Sequence, residues 1–392
     1  MRIAYILSAT IPNGGATKAF VSLLQGLTKK GVEPFIVCPD EDGIYNEFVA
    51  MGIPTLALTY RPATYPYLRT IKDKLFFLPR TIARLLVNIK AARSLTRWLK
   101  GHHVEMIHTN VGIIDIGFKA SRNLGIPHIY HIREYADKDF GMHYFPRKSS
   151  FQKQLRKSHS YSICITKDIQ NYHREKDHVS SRVIYDGVHP ATTTYPREEK
   201  QGYLLYAGRI EPAKGLDLLL KAYTKVIRDC GKDSLPPLWV AGHIQQPLFH
   251  NELKQYIEDE NIDDKVRWLG EVENIKEFMR HAQALVIPSR SEGFGLCMPE
   301  AMFEGCLCIA HNTGGTKEQL DNGRKLKRKE IAFGYNSTNE LAEILKNLFN
   351  GTIKKEETDV MIADAFEVVN KLYSTEANAE NVFKFYKEIQ SR

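Results

Sequence analysis

The sequence contains no long apolar run, since no stretch approaches the ~18 uninterrupted apolar residues that a membrane-spanning helix needs. Cysteine is sparse, with six in 392 residues, and no cysteine pair has a second pair at zinc-finger spacing. The short apolar N-terminus enters Pro12-Asn13-Gly14-Gly15 without a small-residue cleavage site, so we interpret it as a first β-strand and its turn. These absences favour a cytoplasmic protein with free thiols and no metal site.

Acidic residues are scarce in the first half of the chain. Residues 1–200 hold 29 Lys and Arg against 17 Asp and Glu, whereas residues 201–392 hold 25 against 29. A basic half favours an anionic partner, such as a membrane surface, a nucleic acid or a phosphorylated substrate. Because no RNA- or DNA-binding motif is recognised, we do not expect nucleic acid to be the partner.

The imbalance is greatest in residues 61–100, where Asp73 is the single acid among ten basic residues and many aromatic and leucine side chains. A basic, aromatic, amphipathic stretch is typical of an element that lies on an anionic membrane, which predicts a peripheral protein on the inner face. The alternative is that these are solvated basic faces of helices packed against a sheet. The ten basic residues are Arg61, Arg69, Lys72, Lys74, Arg80, Arg84, Lys90, Arg93, Arg97 and Lys100.

Short β-branched runs alternate with amphipathic helical stretches along the chain, which predicts parallel sheets with helices on both faces. The alternation pauses at a polar, proline-containing stretch, 195–202, that is typical of a linker. We therefore predict an α/β protein with two doubly wound, Rossmann-like domains facing across a cleft. The domains are 1–195, which would bind the acceptor, and 202–374, which would bind the nucleotide sugar; a terminal helix, 375–392, is expected to cross back to the first.

One motif follows the predicted strand 284–287 and runs from Ser289 to Met302. Gly293 and Gly295 allow a backbone to approach a ligand closely, and the start of the next helix favours a diphosphate. Glu292 and Glu300 carry carboxylates that suit paired hydroxyls, one those of a donor hexose and the other those of a ribose. The alternative is an ordinary helix start whose glutamates complement the helix dipole.

A second motif, from Gly208 to Asp217, follows the first strand of the second domain. Departure of a nucleoside diphosphate leaves negative charge on phosphate oxygens. Arg209 can bind two of these oxygens and Lys214 can add a point charge. Without a metal, such cations must stabilise the leaving group, although an ordinary surface turn would also place them here.

These motifs in this order resemble the family-4 retaining glycosyltransferases of the GT-B fold, and the likeness covers nearly all of the chain. The matching segments are Gly-Arg-x4-Lys-Gly, then Glu-Gly-Phe-Gly-x4-Glu-Ala-Met, then Asn312-Thr313-Gly314-Gly315-Thr316-Lys317-Glu318. The resemblance implies that Arg209 and Lys214 bind the donor phosphates, that Glu292 lies beside the donor sugar and that Glu300 binds the ribose. It also implies donor contacts from Gly208, Gly293, Phe294, Gly295 and Leu296, and a retaining hexosyl transfer that needs no metal or other cofactor.

In the first half, the resemblance implies that the loop with Gly14 and Gly15 approaches the donor phosphate and the acceptor. At the end of the strand 128–132, Arg133 stands where many family members carry a histidine near the donor sugar, and His131 lies two residues earlier. The period of two places both on one face of the strand, so either residue, or neither, takes that catalytic role. Asp186-Gly187-Val188 also departs from the more usual Asn-Gly-Val before the linker.

The predicted function is transfer of a sugar from a UDP-, GDP- or similar nucleotide sugar to a glycan or lipid-linked acceptor, in cell-surface polysaccharide or glycolipid synthesis. Three alternatives remain: a nucleotide-sugar epimerase of related fold, a non-catalytic nucleotide-sugar-binding protein and a Rossmann dehydrogenase. No acid–base pair stands out for an epimerase, and no Gly-x-Gly-x-x-Gly follows the first strand for a dehydrogenase. Asp137-Lys138-Asp139 resembles the metal motif of another transferase fold, but Lys138 and Arg133 would oppose a cation, so we interpret it as a solvated loop.

Overall fold

The chain folds into two compact units, residues 1–187 with 375–392, and residues 188–374. The computed structural model describes residues 1–12, 14–68, 70–176 and 178–392, without the side chains of Asp139 and Phe140. Each unit contains one parallel sheet with helices around it. The α/β class and the two doubly wound sheets are therefore confirmed.

The first unit has a seven-stranded sheet in the order β3-β2-β1-β5-β6-β8-β9, in which every neighbouring pair is parallel. A separate antiparallel pair joins β4 to β7. The strands are β1 (Arg2–Ile6), β2 (Glu33–Cys38), β3 (Thr55–Ala57), β4 (Thr64–Pro66), β5 (Met106–Thr109), β6 (His128–Ile132), β7 (Met142–Tyr144), β8 (Ser160–Cys164) and β9 (Ser181–Val183). The helices are α1 (Gly15–Thr28), α2 (Ile44–Ala50), α3 (Ile71–Leu75), α4 (Phe77–Gly101), α5 (Ile116–Leu124), α6 (Asp137–Phe140), α7 (Lys148–Leu155), α8 (Lys167–Tyr172) and α16 (Thr375–Gln390).

The second unit has a six-stranded sheet in the order β12-β11-β10-β13-β14-β15, also parallel throughout. Its strands are β10 (Leu204–Ala207), β11 (Leu238–Ala241), β12 (Val266–Gly270), β13 (Ala284–Ile287), β14 (Cys308–His311) and β15 (Phe333–Tyr335). Its helices are α9 (Leu216–Cys230), α10 (Pro247–Asp259), α11 (Ile275–His281), α12 (Cys297–Phe303), α13 (Gly314–Lys327), α14 (Thr338–Phe349) and α15 (Lys355–Leu372).

Helix α16 belongs to the first unit because one of its faces is apolar. Val382, Phe385, Tyr386 and Ile389 lie in the same buried cluster as the apolar side of α1. The two helices approach so closely that a Cβ added at Gly26 would lie 2.5 Å from the Cβ of Ala379. Only glycine fits this crossing without a shift of backbone.

Strand order locates the two places where a doubly wound sheet binds ligands. The order reverses between β1 and β5 in the first unit and between β10 and β13 in the second. At such a switch point the loops that follow adjacent strands lead away in opposite directions and leave a crevice at their carboxyl ends. The glycine-rich loops of the sequence follow β1, β10 and β13.

Candidate functional site

The loop after β10 holds both predicted phosphate-binding cations. β10 ends at Ala207, and the Tyr206 hydroxyl donates to the backbone oxygen of Arg209 over 2.9 Å. The Arg209 guanidinium is exposed and pairs with Glu211 at 2.9 Å. Lys214 ends a short 3-10 turn that leads into α9. Both cations thus lie at the carboxyl end of β10.

Glycine is required where this loop approaches its neighbours. Gly215 has φ +70°, and a Cβ there would lie 2.0 Å from the backbone oxygen of Pro288 in the loop after β13. After β11, Gly242 has φ +148°, and its Cβ would lie 1.9 Å from the oxygen of Gly208. The loop after β10 therefore lies backbone to backbone against the loop after β13 at Gly215 and against the loop after β11 at Gly242, and a side chain at either glycine would prevent this.

The central contact of the site is an ion pair between the two motifs. The Lys214 Nζ donates to Glu292 Oε1 over 2.7 Å, and the Ser289 hydroxyl donates to the same oxygen over 2.7 Å. Burial lowers the pKa of Lys214, but the Glu292 carboxylate outweighs this and leaves the pKa above its ordinary value. Lys214 is therefore a charged ammonium with donors still available for another anion.

A second ion pair holds the same two loops together. Arg290 donates to both carboxylate oxygens of Asp217, over 2.7 and 2.6 Å, and also to the backbone oxygen of Pro212 over 2.6 Å. Its backbone amide donates to the oxygen of Ala213. A bidentate Arg–carboxylate pair fixes orientation as well as distance. It therefore fixes the loops that carry Lys214 and Glu292 relative to each other.

The start of α13 forms the third wall of the site. The Gly315 amide donates to the Glu292 backbone oxygen over 2.9 Å, and a Cβ on Gly315 would lie 2.3 Å from the oxygen of Phe294. Gln319 donates from Nε2 to the same Phe294 oxygen over 2.6 Å. The loop 292–295 is therefore bonded along its backbone to α13. The supporting roles of Ser289, Arg290 and Gln319 were not predicted, because they depend on contacts between distant segments.

The other residues after β13 that are predicted to contact the donor lie in the loop and in the first turn of α12. Phe294 is a buried core side chain that packs edge-on against Tyr373, with ring centroids 5.4 Å apart. Leu296 precedes α12 as its N-cap, and Glu300 is half-buried in the first turn of that helix. Burial, then the charges of Glu292 and Glu300, raise the pKa of the Cys297 thiol to about 12.

The structure thus brings four predicted residues, Arg209, Lys214, Glu292 and Glu300, to the carboxyl ends of β10 and β13. A guanidinium and an ammonium group thus lie beside two carboxylates at the point where the strand order reverses. Such a site suits a ligand that combines phosphate oxygens with vicinal hydroxyls. A cavity of about 410 Å³ lies elsewhere, along α15, and includes none of these residues.

In the first unit, Gly14 and Gly15 lie at the β1–β5 switch point. Gly14 is the N-cap of α1, and a Cβ there would meet Thr17 Oγ1 at an ordinary 3.4 Å. Asn110, just after β5, donates to the backbone oxygen of Ala16 over 3.2 Å. The loop is therefore tied to the neighbouring strand, although packing alone does not demand glycine at 14.

His131 and Arg133 both belong to a buried polar network. His131 Nδ1 lies 3.1 Å from His108 Nε2, and His108 in turn lies 2.5 Å from the Tyr386 hydroxyl on α16. Arg133 forms an ion pair with Asp186 and donates to Asn110 Oδ1 over 3.3 Å.

Burial, then the charge of Arg133, lowers the pKa of His131 well below its ordinary value. The imidazole is therefore neutral at physiological pH. His131 has no exposed surface, and its ring is held by His108 on the neighbouring strand. The role of either His131 or Arg133 at the donor sugar stays a prediction.

The prediction that 137–139 is a solvated loop is wrong in its secondary structure, although Lys138 is exposed and Asp137 half-buried. Residues 137–140 form α6, and Asp137 accepts a hydrogen bond from the Tyr172 hydroxyl. Within 1–12, 14–68, 70–176 and 178–392, no three His, Cys, Asp or Glu side chains are grouped so that they could hold a metal ion.

Two protein-family models match consecutive parts of the chain. The model described as Glycosyltransferase Family 4 matches residues 13–192, and the model described as Glycosyl transferases group 1 matches residues 193–365. An uncharacterized glycosyltransferase of Methanocaldococcus jannaschii is 25% identical over 325 residues, which cover 79% of this chain and 82% of that protein. A lipopolysaccharide core biosynthesis mannosyltransferase of Rhizobium meliloti is 32% identical over 121 residues, or 30% of this chain and 33% of its own.

Solved structures share the fold across the whole chain. The HepE protein of Anabaena, solved in complex with UDP, has a TM-score of 0.75 at 16% identity and covers 99% of this chain and 100% of its own. A lipopolysaccharide outer core galactosyltransferase, WaaB, in its apo form has a TM-score of 0.70 at 16% identity, with 99% of each chain covered.

Proposed function

The chain belongs to the family-4 glycosyltransferases of the GT-B fold, and on that premise we propose that it transfers a sugar from a nucleoside-diphosphate donor to an acceptor hydroxyl with retention of configuration. The observation that carries this proposal is the joint placement of Arg209, Lys214, Glu292 and Glu300 at the β10–β13 switch point. The similar HepE structures are described as complexes with UDP and with UDP-glucose, which supports a nucleotide-sugar donor.

In the proposed reaction the bond between the anomeric carbon and the β-phosphate oxygen breaks, and the acceptor oxygen bonds to the same carbon. The departing phosphate takes the acceptor proton. Arg209 and Lys214 stabilise the charge that grows on the phosphate oxygens, which is worth most when the donors are already in place. The Lys214–Glu292 and Arg290–Asp217 pairs supply that preorganisation.

The two glutamates have different proposed partners. Glu292 accepts from hydroxyls of the donor sugar. Its contact with Lys214 places this carboxylate beside the phosphate that Lys214 is proposed to bind. Glu300 accepts from the ribose hydroxyls. We propose no metal cofactor, since the two cations act where a metal would, and we keep Arg133 or His131 and the loop of Gly14 and Gly15 as the contribution of the first unit.

We propose cell-surface polysaccharide or glycolipid synthesis as the setting, with a glycan or lipid-linked sugar as acceptor and the inner face of a membrane as the place. Similar proteins named as lipopolysaccharide mannosyltransferases and a lipopolysaccharide galactosyltransferase support this. Within the described ranges, no helix is both long and apolar enough to cross a membrane.

A donor panel tests the function. UDP-, GDP- and ADP-sugars are first screened for thermal stabilisation, and release of nucleoside diphosphate is then measured with the best donor. Arg209→Ala is expected to slow release by about a hundredfold or more, because a preorganised charged donor is lost. Lys221→Ala, on the exposed side of α9, is the matched control and is expected to keep the parent rate.

Three outcomes would contradict the proposal. Interconversion of donor sugars without release would identify an epimerase, and binding without either reaction would identify a binding protein. Equal release by the Arg209 variant and the control, with both proteins folded, would remove the phosphate assignment.

A further inference from the structure

Helix α4 differs between its two halves. From Asn88 onward one side of the helix is buried in the first unit, where Ala91, Leu95 and Leu99 join an apolar cluster. Asn88 marks the change, since its side chain accepts from the amide of Arg61 and donates to the backbone oxygen of the same residue. The second half of α4 is thus an ordinary helix packed on a sheet.

Residues 70–87, which include α3 and the first half of α4, are all half-buried or exposed. Large apolar side chains nevertheless face outward: Ile71 is 85% exposed, Leu75 70%, Leu78 64% and Leu86 62%. Scattered single exposures are normal, but a contiguous apolar surface marks an interaction site. We call this surface the α3–α4 apolar face and define it as Ile71, Leu75, Leu78, Ile82, Leu85, Leu86 and Ile89.

The spacing of these residues gives the face its shape. Along the chain they follow one another at alternating steps of mainly four and three, and the five in α4 fall within an arc of roughly 100° because each residue advances the helix by about 100°. The buried side of α4, with Leu95 and Leu99, lies on another side of the helix by the same count. The apolar face therefore does not belong to the core of its own unit.

Basic residues border the face. Lys90 and Arg97 are exposed and lie just beyond the edge of the arc that Leu86 marks, by helical periodicity. Arg93, also exposed, lies within the arc, one turn beyond Ile89. The nearby acid, Asp73, is occupied locally, since it accepts from Thr70 and lies 3.8 Å from Arg80. An apolar stripe with a cationic flank is complementary to an anionic lipid surface, where acyl chains receive the stripe and headgroups the cations.

We propose that the α3–α4 apolar face inserts into the headgroup boundary of an anionic bilayer, with Lys90, Arg93 and Arg97 on the lipid phosphates. This deepens the proposed function and rests on it only for the lipid-linked acceptor. A second copy of this chain is a poorer occupant, because pairing the faces would bring the basic flanks together. The stretch 61–100 therefore has two roles. Its first part supplies the apolar membrane contact, and its second part packs one side against the sheet while exposed Lys90, Arg93 and Arg97 contact the lipid phosphates.

Vesicle sedimentation without donor or acceptor tests the proposal. The parent is expected to bind vesicles containing phosphatidylglycerol at least about tenfold better than phosphatidylcholine vesicles in 0.1 M salt. Binding should fall in 1 M salt, where the Debye length shrinks from ~10 to ~3 Å. The triple variant Leu78→Ser, Ile82→Ser, Leu86→Ser should lose about tenfold or more on anionic vesicles.

Two further variants make the test specific. The triple variant Lys90→Gln, Arg93→Gln, Arg97→Gln should lose the preference for anionic vesicles. The double variant Leu248→Ser, Val360→Ser changes exposed apolar residues of the second unit and should bind like the parent. Arg84 is left unchanged because it donates to the backbone oxygen of Thr64 and anchors the helix.

Equal binding of the parent to neutral and anionic vesicles, or an unchanged serine variant, would overturn the proposal. The proposal would also be overturned if the parent does not bind vesicles and is a dimer in sedimentation velocity, while the serine variant is a monomer. Thermal melts check that each variant is folded. Failure here leaves donor release untouched, so it is distinguishable from failure of the proposed transfer.

Discussion

Variants of the Lys214–Glu292 ion pair can distinguish a structural role of Lys214 from a role in turnover. Its side chains are 20% and 10% exposed and its atoms lie 2.7 Å apart. Removing one partner of a buried pair leaves the other charge uncompensated, which costs about 3–5 kcal/mol. Because Lys214 retains some exposure and Ser289 still binds Glu292, we expect Lys214→Met to lose about 3 kcal/mol of unfolding free energy. In Lys214→Met with Glu292→Gln no unpaired charge remains, so stability should return to within about 1 kcal/mol of the parent.

Turnover should respond differently from stability. If Lys214 stabilises the leaving phosphate, its loss costs about 3 kcal/mol of transition-state stabilisation, or about a hundredfold in rate, in the single variant. The double variant should lose at least as much, because it also lacks the Glu292 carboxylate proposed to bind the donor sugar. Urea denaturation and release of nucleoside diphosphate measure the two quantities, with Lys221→Met as the exposed control. Recovery of turnover together with stability in the double variant would show that the pair is structural and that the phosphate assignment is wrong. No loss of stability in Lys214→Met would show that the pair does not form.

The pH dependence of this pair follows from the raised pKa of Lys214. A lysine whose pKa is raised in the folded state contributes stability that is fully present below its ordinary value of 10.5. That stability is lost only as the pH rises through the higher folded value. The difference in unfolding free energy between the parent and Lys214→Met should therefore be constant from pH 6 to 9.

Three other measurements test the site and the fold. Glu300→Gln should weaken nucleotide binding by very roughly tenfold, because the ribose hydroxyls lose a charged acceptor, and unchanged affinity in calorimetry would remove that role. The pKa of His108 is lowered to about 3, chiefly by burial, so as the pH drops from 6.5 the histidine is protonated in the unfolded chain before it is protonated in the folded one, and the free energy of unfolding falls. His108→Gln should reduce this dependence of unfolding free energy on pH by about 1.4 kcal/mol per pH unit in urea titrations. An unchanged dependence would contradict a neutral His108 imidazole. Gly315→Ala places a Cβ 2.3 Å from the Phe294 oxygen and should impair donor binding, whereas Gly101→Ala meets nothing within 4 Å and is its control; equal affinity in the two would show that the loop tolerates a shift.

Much of the fold could be predicted because neighbouring residues encode it. The alternation of apolar runs and amphipathic stretches is local, and it indicated β10, β13 and the terminal helix α16 correctly. The short strands β4, β7, β9 and β15 were not predicted, because three residues give too few repeats of a period of two to be recognised. Motif order likewise indicated the loops of the candidate site, since glycine, cation and carboxylate occur there close together in sequence.

The sequence by itself determined the two parallel sheets and the loops at their carboxyl ends, because propensity and periodicity act over a few residues. Only the tertiary structure decided that Lys214 pairs with Glu292, 78 residues away, and that Arg133 pairs with Asp186, 53 residues away. It also decided which half of the stretch 61–100 buries an apolar side against the sheet, since both halves contain similar basic and apolar residues. Such contacts depend on strand order and helix packing, which bring distant segments together and which no local pattern of residues specifies.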